Sequence, residues 1–177
     1  MRPRAGGRPA LVGLDAAFES LRAQHRGLPP GRRADTLLVT CHASCEVRAL
    51  DRLGFTLRLR TLGRRLDDRG LTQAPLRAVL ELGIKRVVLF GNSGCPSLAP
   101  DLRGPDDTLE RLREAAAQWY QRRLTTQDHA RASYLALRAS LVGAGRADVE
   151  ISNVVYAADT GMLQIYDAEL DQLACTG

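Results

Sequence analysis

Two short apolar runs that do not alternate, Thr36-Leu37-Leu38-Val39-Thr40 and Arg86-Val87-Val88-Leu89-Phe90, constrain this chain most. Runs of this kind suit strands covered on both faces, the habit of parallel sheets. Each is followed by cysteine: Cys41 and Cys45 after the first, and Gly91-Asn92-Ser93-Gly94-Cys95 after the second. Ligands in open parallel sheets bind beyond the carboxyl ends of the strands, so both cysteine clusters fall where a site is expected.

The intervening segments alternate in type. A helix is expected from about Glu46 to Leu53, stopped by Gly54, then a strand from Phe55 to Arg60, then a helix from Gln73 to Leu82 closed by Gly83. This βαβαβ order predicts an α/β fold, a central, mainly parallel sheet flanked by helices. Upstream, Leu14, Ala17, Phe18 and Leu21 recur at helical spacing within Leu11 to Arg26, and Gly27 with Pro29-Pro30-Gly31 ends that extension. Its apolar face would cover the domain or a neighbouring subunit. Downstream, two helices are expected over Asp107 to Arg123 and Thr126 to Leu141. A hairpin follows, Val149 to Tyr156 and Met162 to Tyr166 about the turn Asp159-Thr160-Gly161.

At 177 residues and 45% apolar content the chain suits one core. Residues 1–10, with three arginines, two prolines and two glycines, read as a flexible basic arm, leaving 11–177 as a single domain. No apolar run reaches the roughly eighteen residues of a membrane span, and no signal-peptide core follows Met1. A soluble, cytoplasmic protein with reduced thiols is expected. The net charge of +5 comes from arginine, with Lys85 the sole lysine, and aromatics make up only 5%. Basic residues are not interleaved with aromatics, which argues against a nucleic-acid platform.

The chain resembles the β-class carbonic anhydrases, and the likeness rests on four stretches. Leu37 to Cys45 stands where that family has its first strand and CxDxR motif; Leu59-Arg60-Thr61-Leu62-Gly63 stands at a segment like IRNAG. Leu76 to Cys95 resembles the helix, strand and GHSGC loop of the HxxC motif, and Val155-Tyr156 to Leu163 the closing VYDxxTGxL. Order and spacing agree from about residue 18 to residue 167. The resemblance implies a zinc held by two thiolates and an imidazole, an Asp-Arg pair that orients zinc-bound hydroxide toward carbon dioxide, and an obligate homodimer. Leu14, Phe18 and Leu21 would then be buried in the assembly, and the arm could reach a protein partner.

The departures fall on the chemistry. Cys41 and Cys95 keep the thiolate positions, but Asn92 replaces the histidine, Ala43 the aspartate and Cys45 the arginine. A neutral amide is a poor zinc donor, and Ala43 with Cys45 supplies no positioned acceptor or guanidinium. Three outcomes stay open. The site is degenerate and the protein a pseudoenzyme that binds a partner or small ligand. Alternatively Cys41, Cys45 and Cys95, with His42 or Asn92, rebuild a thiolate-rich zinc site, closed if structural, or serving a lyase or hydrolase on carbon dioxide or a related molecule. Or no metal binds and the three thiols are redox-active.

Arg60 and Gly63 would shape the cleft, and Ser93 and Gly94 the substrate-facing loop. The plainer roles are an ion pair of Arg60 with Asp67 or Asp68, Asn92 as a cap, and His42 in a solvated loop. His25 and His129 read as satisfied surface residues, and Cys175 as an incidental thiol on a frayed tail.

Overall fold

The computed structural model describes residues 14–40, 56–61, 66, 71–93 and 108–175. The basic arm, the expected helix over 46–53, and Cys41, His42, Ala43, Cys45, Gly63, Asp67, Asp68, Gly94 and Cys95 lie outside the described residues.

In chain order the elements are α1 (Leu14–Arg26), β1 (Thr36–Thr40), β2 (Thr56–Arg60), α2 (Gln73–Leu82), β3 (Arg86–Asn92), α3 (Thr108–Gly143), β4 (Glu150–Ala157), β5 (Met162–Asp167) and β6 (Gln172–Cys175). The strands form one mixed sheet in the order β2-β1-β3-β4-β5-β6. Contacts among β2, β1, β3 and β4 are parallel, and β5 and β6 add on antiparallel. Every residue of β1 is buried, as its unbroken apolar run requires.

The largest core cluster lies on one side of the sheet. Leu37, Val39, Leu57, Leu59, Val87 and Leu89 alternate onto this face and join Leu21 of α1, Ala78 and Val79 of α2, and Leu137 and Leu141 of α3. Gly83 ends α2 in the left-handed conformation at φ 74°, which explains why a glycine stands there.

Phe18 and Leu21 are fully buried within this one chain. The guanidinium carbon of Arg77, on α2, lies 3.8 Å from the centroid of the Phe18 ring, so α1 closes over α2 rather than reserving these two side chains for a neighbouring subunit. The next turn of α1 also seals the sheet. The Gln24 side chain donates to Arg58 O at 3.0 Å and accepts from Arg58 N at 2.8 Å, acting as a one-residue strand against edge strand β2. Replacing Gln24 with Leu is expected to cost about 1–2 kcal/mol. It should also raise self-association through the reopened edge, read by denaturant unfolding and by light scattering.

Three expectations are corrected. The two helices expected after residue 107 are one helix of 36 residues. No glycine or proline stands between Arg123 and Thr126, and the threonines there cost only a few tenths of a kcal/mol each, too little to break a helix that packs on a sheet. Strand β3 runs on through Gly91 to Asn92, paired with Val155 and Tyr156. The tail is not frayed at Cys175, which pairs with Gln164 as the last residue of β6.

That last hairpin is tied to α3 by a polar cluster. Asp171, in the turn at φ 52°, accepts from the Tyr166 hydroxyl at 2.6 Å and pairs with Arg131 of α3 at 2.9 Å. Burial first, then the bond to Asp171, pushes the Tyr166 phenol from its ordinary 10 up to about 12. The folded chain therefore holds this proton more tightly than the unfolded chain. The stability it contributes is complete below about pH 10 and is lost as pH rises through about 12. A Tyr166→Phe variant should lack this alkaline component when unfolding is followed from pH 9 to 12.

Candidate functional site

The carboxyl ends of β1 and β3 converge beneath the middle of α3 because the parallel register sets Thr40 beside Arg60 on one side and Phe90 on the other. Strand β3 then overshoots by two residues and brings Asn92 to the rim. Ser93 fixes that overshoot: its N–H donates to Tyr156 O at 3.0 Å, and its Oγ accepts from Ala158 N at 2.9 Å. The residue after the Asn92 position is thus stapled to the end of β4.

Between the strand ends and α3 lies a cavity of about 40 Å³. Val39, Leu89 and Val155 form its apolar wall from the sheet, while Thr126, His129, Ala130 and Ser133 come from α3. Thr40, Thr61, Asn92 and Asn153 contribute polar groups. Several are held in place. Asn153, 3% exposed, donates to Ala130 O at 2.6 Å and locks β4 to α3. Ser133 Oγ accepts from Leu66 N at 3.3 Å, and Thr72 N donates to Leu66 O, so Leu66 is anchored from two sides. Thr61 donates to Thr40 O through its backbone N–H at 2.8 Å and its hydroxyl at 3.4 Å, which continues the β1-β2 pairing into the cavity wall.

Of the residues singled out from sequence, Asn92 lines this cavity, while Ser93 and Arg60 stand at the same end of the sheet outside its wall. His129, expected at the surface, is half-buried on the cavity's α3 side with its Nε2 atom buried. His25 is also half-buried with a buried Nε2, rather than a surface residue. Thr40, Thr61, Ser133 and Asn153 were not foreseen. Asn153 did carry a signal, since an amide inside Ile151-Ser152-Asn153-Val154-Val155 must find a partner if the strand is buried.

Among the described residues no three His, Cys, Asp or Glu side chains gather as a metal site. Asn92 is the described member of the expected zinc ligand set, and it brings a neutral amide where an imidazole would bond well. Asn92, taken by itself, is therefore a poor zinc donor. The cavity itself is a small, largely apolar enclosure whose lining includes hydroxyl, amide and imidazole residues.

No family model and no curated protein matches the sequence. Solved structures do match the fold. The β-carbonic anhydrase CafA of Aspergillus fumigatus superposes with a TM-score of 0.58 at 19% identity, over 87% of this chain and 86% of that one. The β-carbonic anhydrase of Coccomyxa, solved in complex with acetazolamide, gives 0.56 at 15% identity, over 85% and 80%. The tetrameric β-carbonic anhydrases of Sordaria macrospora give 0.50 at 18% identity, over 84% of each chain. The chain has the β-carbonic anhydrase fold.

Proposed function

We propose that this protein is a β-carbonic-anhydrase-fold pseudoenzyme, in which hydration of carbon dioxide has been lost and the site is kept for binding a small ligand or a protein partner. The observation that carries this reading is Asn92. It ends β3 at the position that the resemblance gives to the histidine ligand, and it is built into the wall of the cavity. A zinc site deprived of its imidazole loses affinity, and replacement of the Asp-Arg pair by Ala43 and Cys45 removes the groups that would aim a metal-bound hydroxide.

The test is metal content by mass spectrometry on protein purified without chelator or affinity metal, with Cys95→Ser alongside, followed by a carbon dioxide hydration assay. Substoichiometric zinc in both proteins, with hydration at the uncatalysed rate, is the expected result. About one zinc per chain, lost in Cys95→Ser and accompanied by turnover, would overturn the reading in favour of a rebuilt cysteine-rich zinc lyase or hydrolase.

Self-association belongs to the same proposal, a homodimer or larger homo-oligomer, supported by the tetrameric Sordaria enzymes of the same fold. A monomer at micromolar concentration in sedimentation would remove it. No described helix is long and apolar enough to cross a membrane.

A further inference from the structure

Charge is divided unevenly along this chain. Residues 147–177 hold six Asp and Glu and neither lysine nor arginine, although the whole chain carries +5. Residues 1–10 hold Arg2, Arg4 and Arg8 and no acidic residue. Opposite charge of this kind draws the two segments together.

The acidic stretch also shapes a groove. Strands β4 and β5 pair from Ala157 with Met162 to Val154 with Ile165 and then part, while β5 stays paired with β6 as far as Asp167 with Gln172. A groove of about 450 Å³ opens where they separate, lined by Ile151 of β4 and by the β5-β6 hairpin. Tyr166 meets Tyr134 of α3 with ring centroids 5.6 Å apart, which sets the side of the hairpin that α3 covers. By alternation and register, Ile165, Asp167 and Ala174 share the other face of the sheet, and all three line the groove. Ile165 is 45% exposed there.

The lining has one sign of charge. Asp167 and Glu169 belong to it, and no described lining residue is Lys, Arg or His. Elsewhere in the acidic stretch, Asp148 is matched by Arg146 and Asp171 by Arg131. Asp167 Oδ1 accepts from Glu169 N at 2.8 Å and from Leu170 N at 3.1 Å, which fixes its carboxylate at the hairpin tip. A carboxylate already held in place loses little freedom when a guanidinium joins it.

We propose that this groove is the docking site of the chain's own basic arm, Met1 to Ala10. Length permits it. Helix α1 begins at Leu14 and packs at the β2 end of the sheet, where Gln24 bonds Arg58. From β2 to β5 is four strand spacings, about 20 Å, and thirteen extended residues span about 43 Å. The arginines meet Asp167 and Glu169, and Gly6 with Gly7 lets the main chain lie close against Ile165 and Ala174. A docked arm is withheld from acidic partners until one of them displaces it.

The experiment uses isoleucine methyl labels in the full chain and in a form lacking residues 2–10. Of the three isoleucines, Ile151 and Ile165 line the groove and Ile84 is fully buried in the core. Removing the arm should move the Ile151 and Ile165 signals and leave Ile84 in place. A peptide of residues 1–10, added to the shortened protein, should return them saturably with a Kd on the order of 0.1 mM. At the roughly millimolar effective concentration of a tethered segment, that affinity keeps the arm docked about nine-tenths of the time. The same peptide with its three arginines changed to alanine should not bind. Asp167→Asn combined with Glu169→Gln should weaken peptide binding at least about fivefold. Asparagine keeps an oxygen for the turn, and the Ile84 signal reports whether the variant is folded.

Identical Ile151 and Ile165 signals with and without the arm would overturn the proposal. So would equal binding by the alanine peptide, or undiminished peptide binding in the double variant. Arm-dependent shifts that appear only as protein concentration rises would overturn it too, by giving the groove to the arm of a second copy. Zinc content and carbon dioxide turnover do not enter these readouts, so the metal-loss reading can fail while the arm site stands, and the reverse.

Discussion

Replacing Leu137 with Ala is expected to destabilise the protein by about 3 kcal/mol, whereas Leu135→Ala, two residues away on the same helix, should stay within about 0.5 kcal/mol. Leu137 is fully buried and joins the core cluster with Val87 and Leu89 of β3, while Leu135 is 49% exposed. Truncating Leu137 removes the transfer energy of the lost carbons and leaves a void between α3 and the sheet that a packed interior fills only in part. For a chain of this length the loss should lower the melting temperature by about 10 °C. The site should respond too. Ser133 and Ala130 lie on the same helix at one and two turns toward its N-terminus, and both line the cavity. Thermal and urea unfolding of the two variants would settle the contrast, and equal effects would contradict the placement of α3.

The same helix shows where sequence reasoning reached its limit. The strands were legible because β1 and β3 are apolar without alternation, and only a doubly covered strand explains such a run next to glycine punctuation. The boundaries of α2 were legible from Gln73 to Leu82 because Gly83 at positive φ is an unambiguous stop. The continuity of α3 was not, since a change in which residues recur near Leu124 looks the same whether a helix ends or keeps turning under a different neighbour. Strand β6 was missed for a related reason. Four residues, Gln172 to Cys175, carry no signal of their own and become a strand only because β5 offers an edge and the Asp171 turn is tied to Arg131.

The candidate site divides in the same way. Asn92 was picked out because the resemblance sets it at the family's histidine position, but the cavity could not be read, because its polar wall is gathered from segments that are far apart in the chain. Thr40 looked like the last residue of a strand and His129 like a surface residue of an amphipathic helix. Their shared surroundings follow from the parallel register and from the Asn153 bond that holds β4 against α3. Tertiary context of this kind leaves no local trace.

On the proposed reading, Asn92→His should raise zinc affinity by at least about a hundredfold without restoring hydration of carbon dioxide. The substitution returns an imidazole to the end of β3, where strand pairing with Tyr156 and the Ser93 staple keep the backbone in place. With Cys41 and Cys95 it would complete the two-thiolate, one-imidazole set that the resemblance implies. Affinity and catalysis separate here because they depend on different atoms. Binding follows the ligand set, whereas turnover needs an acceptor and a guanidinium to orient the nucleophile, and Ala43 and Cys45 supply neither. Adding Ala43→Asp and Cys45→Arg to Asn92→His is therefore the step at which hydration should rise above the uncatalysed rate. Competition for zinc against a chromogenic chelator measures the first effect and stopped-flow acidification the second. If both the unmodified protein and Asn92→His bind zinc weakly and alike, Asn92 is not at a ligand position and the loss of metal needs another cause. If both bind it tightly and alike, the cysteines have rebuilt the site and the pseudoenzyme reading falls.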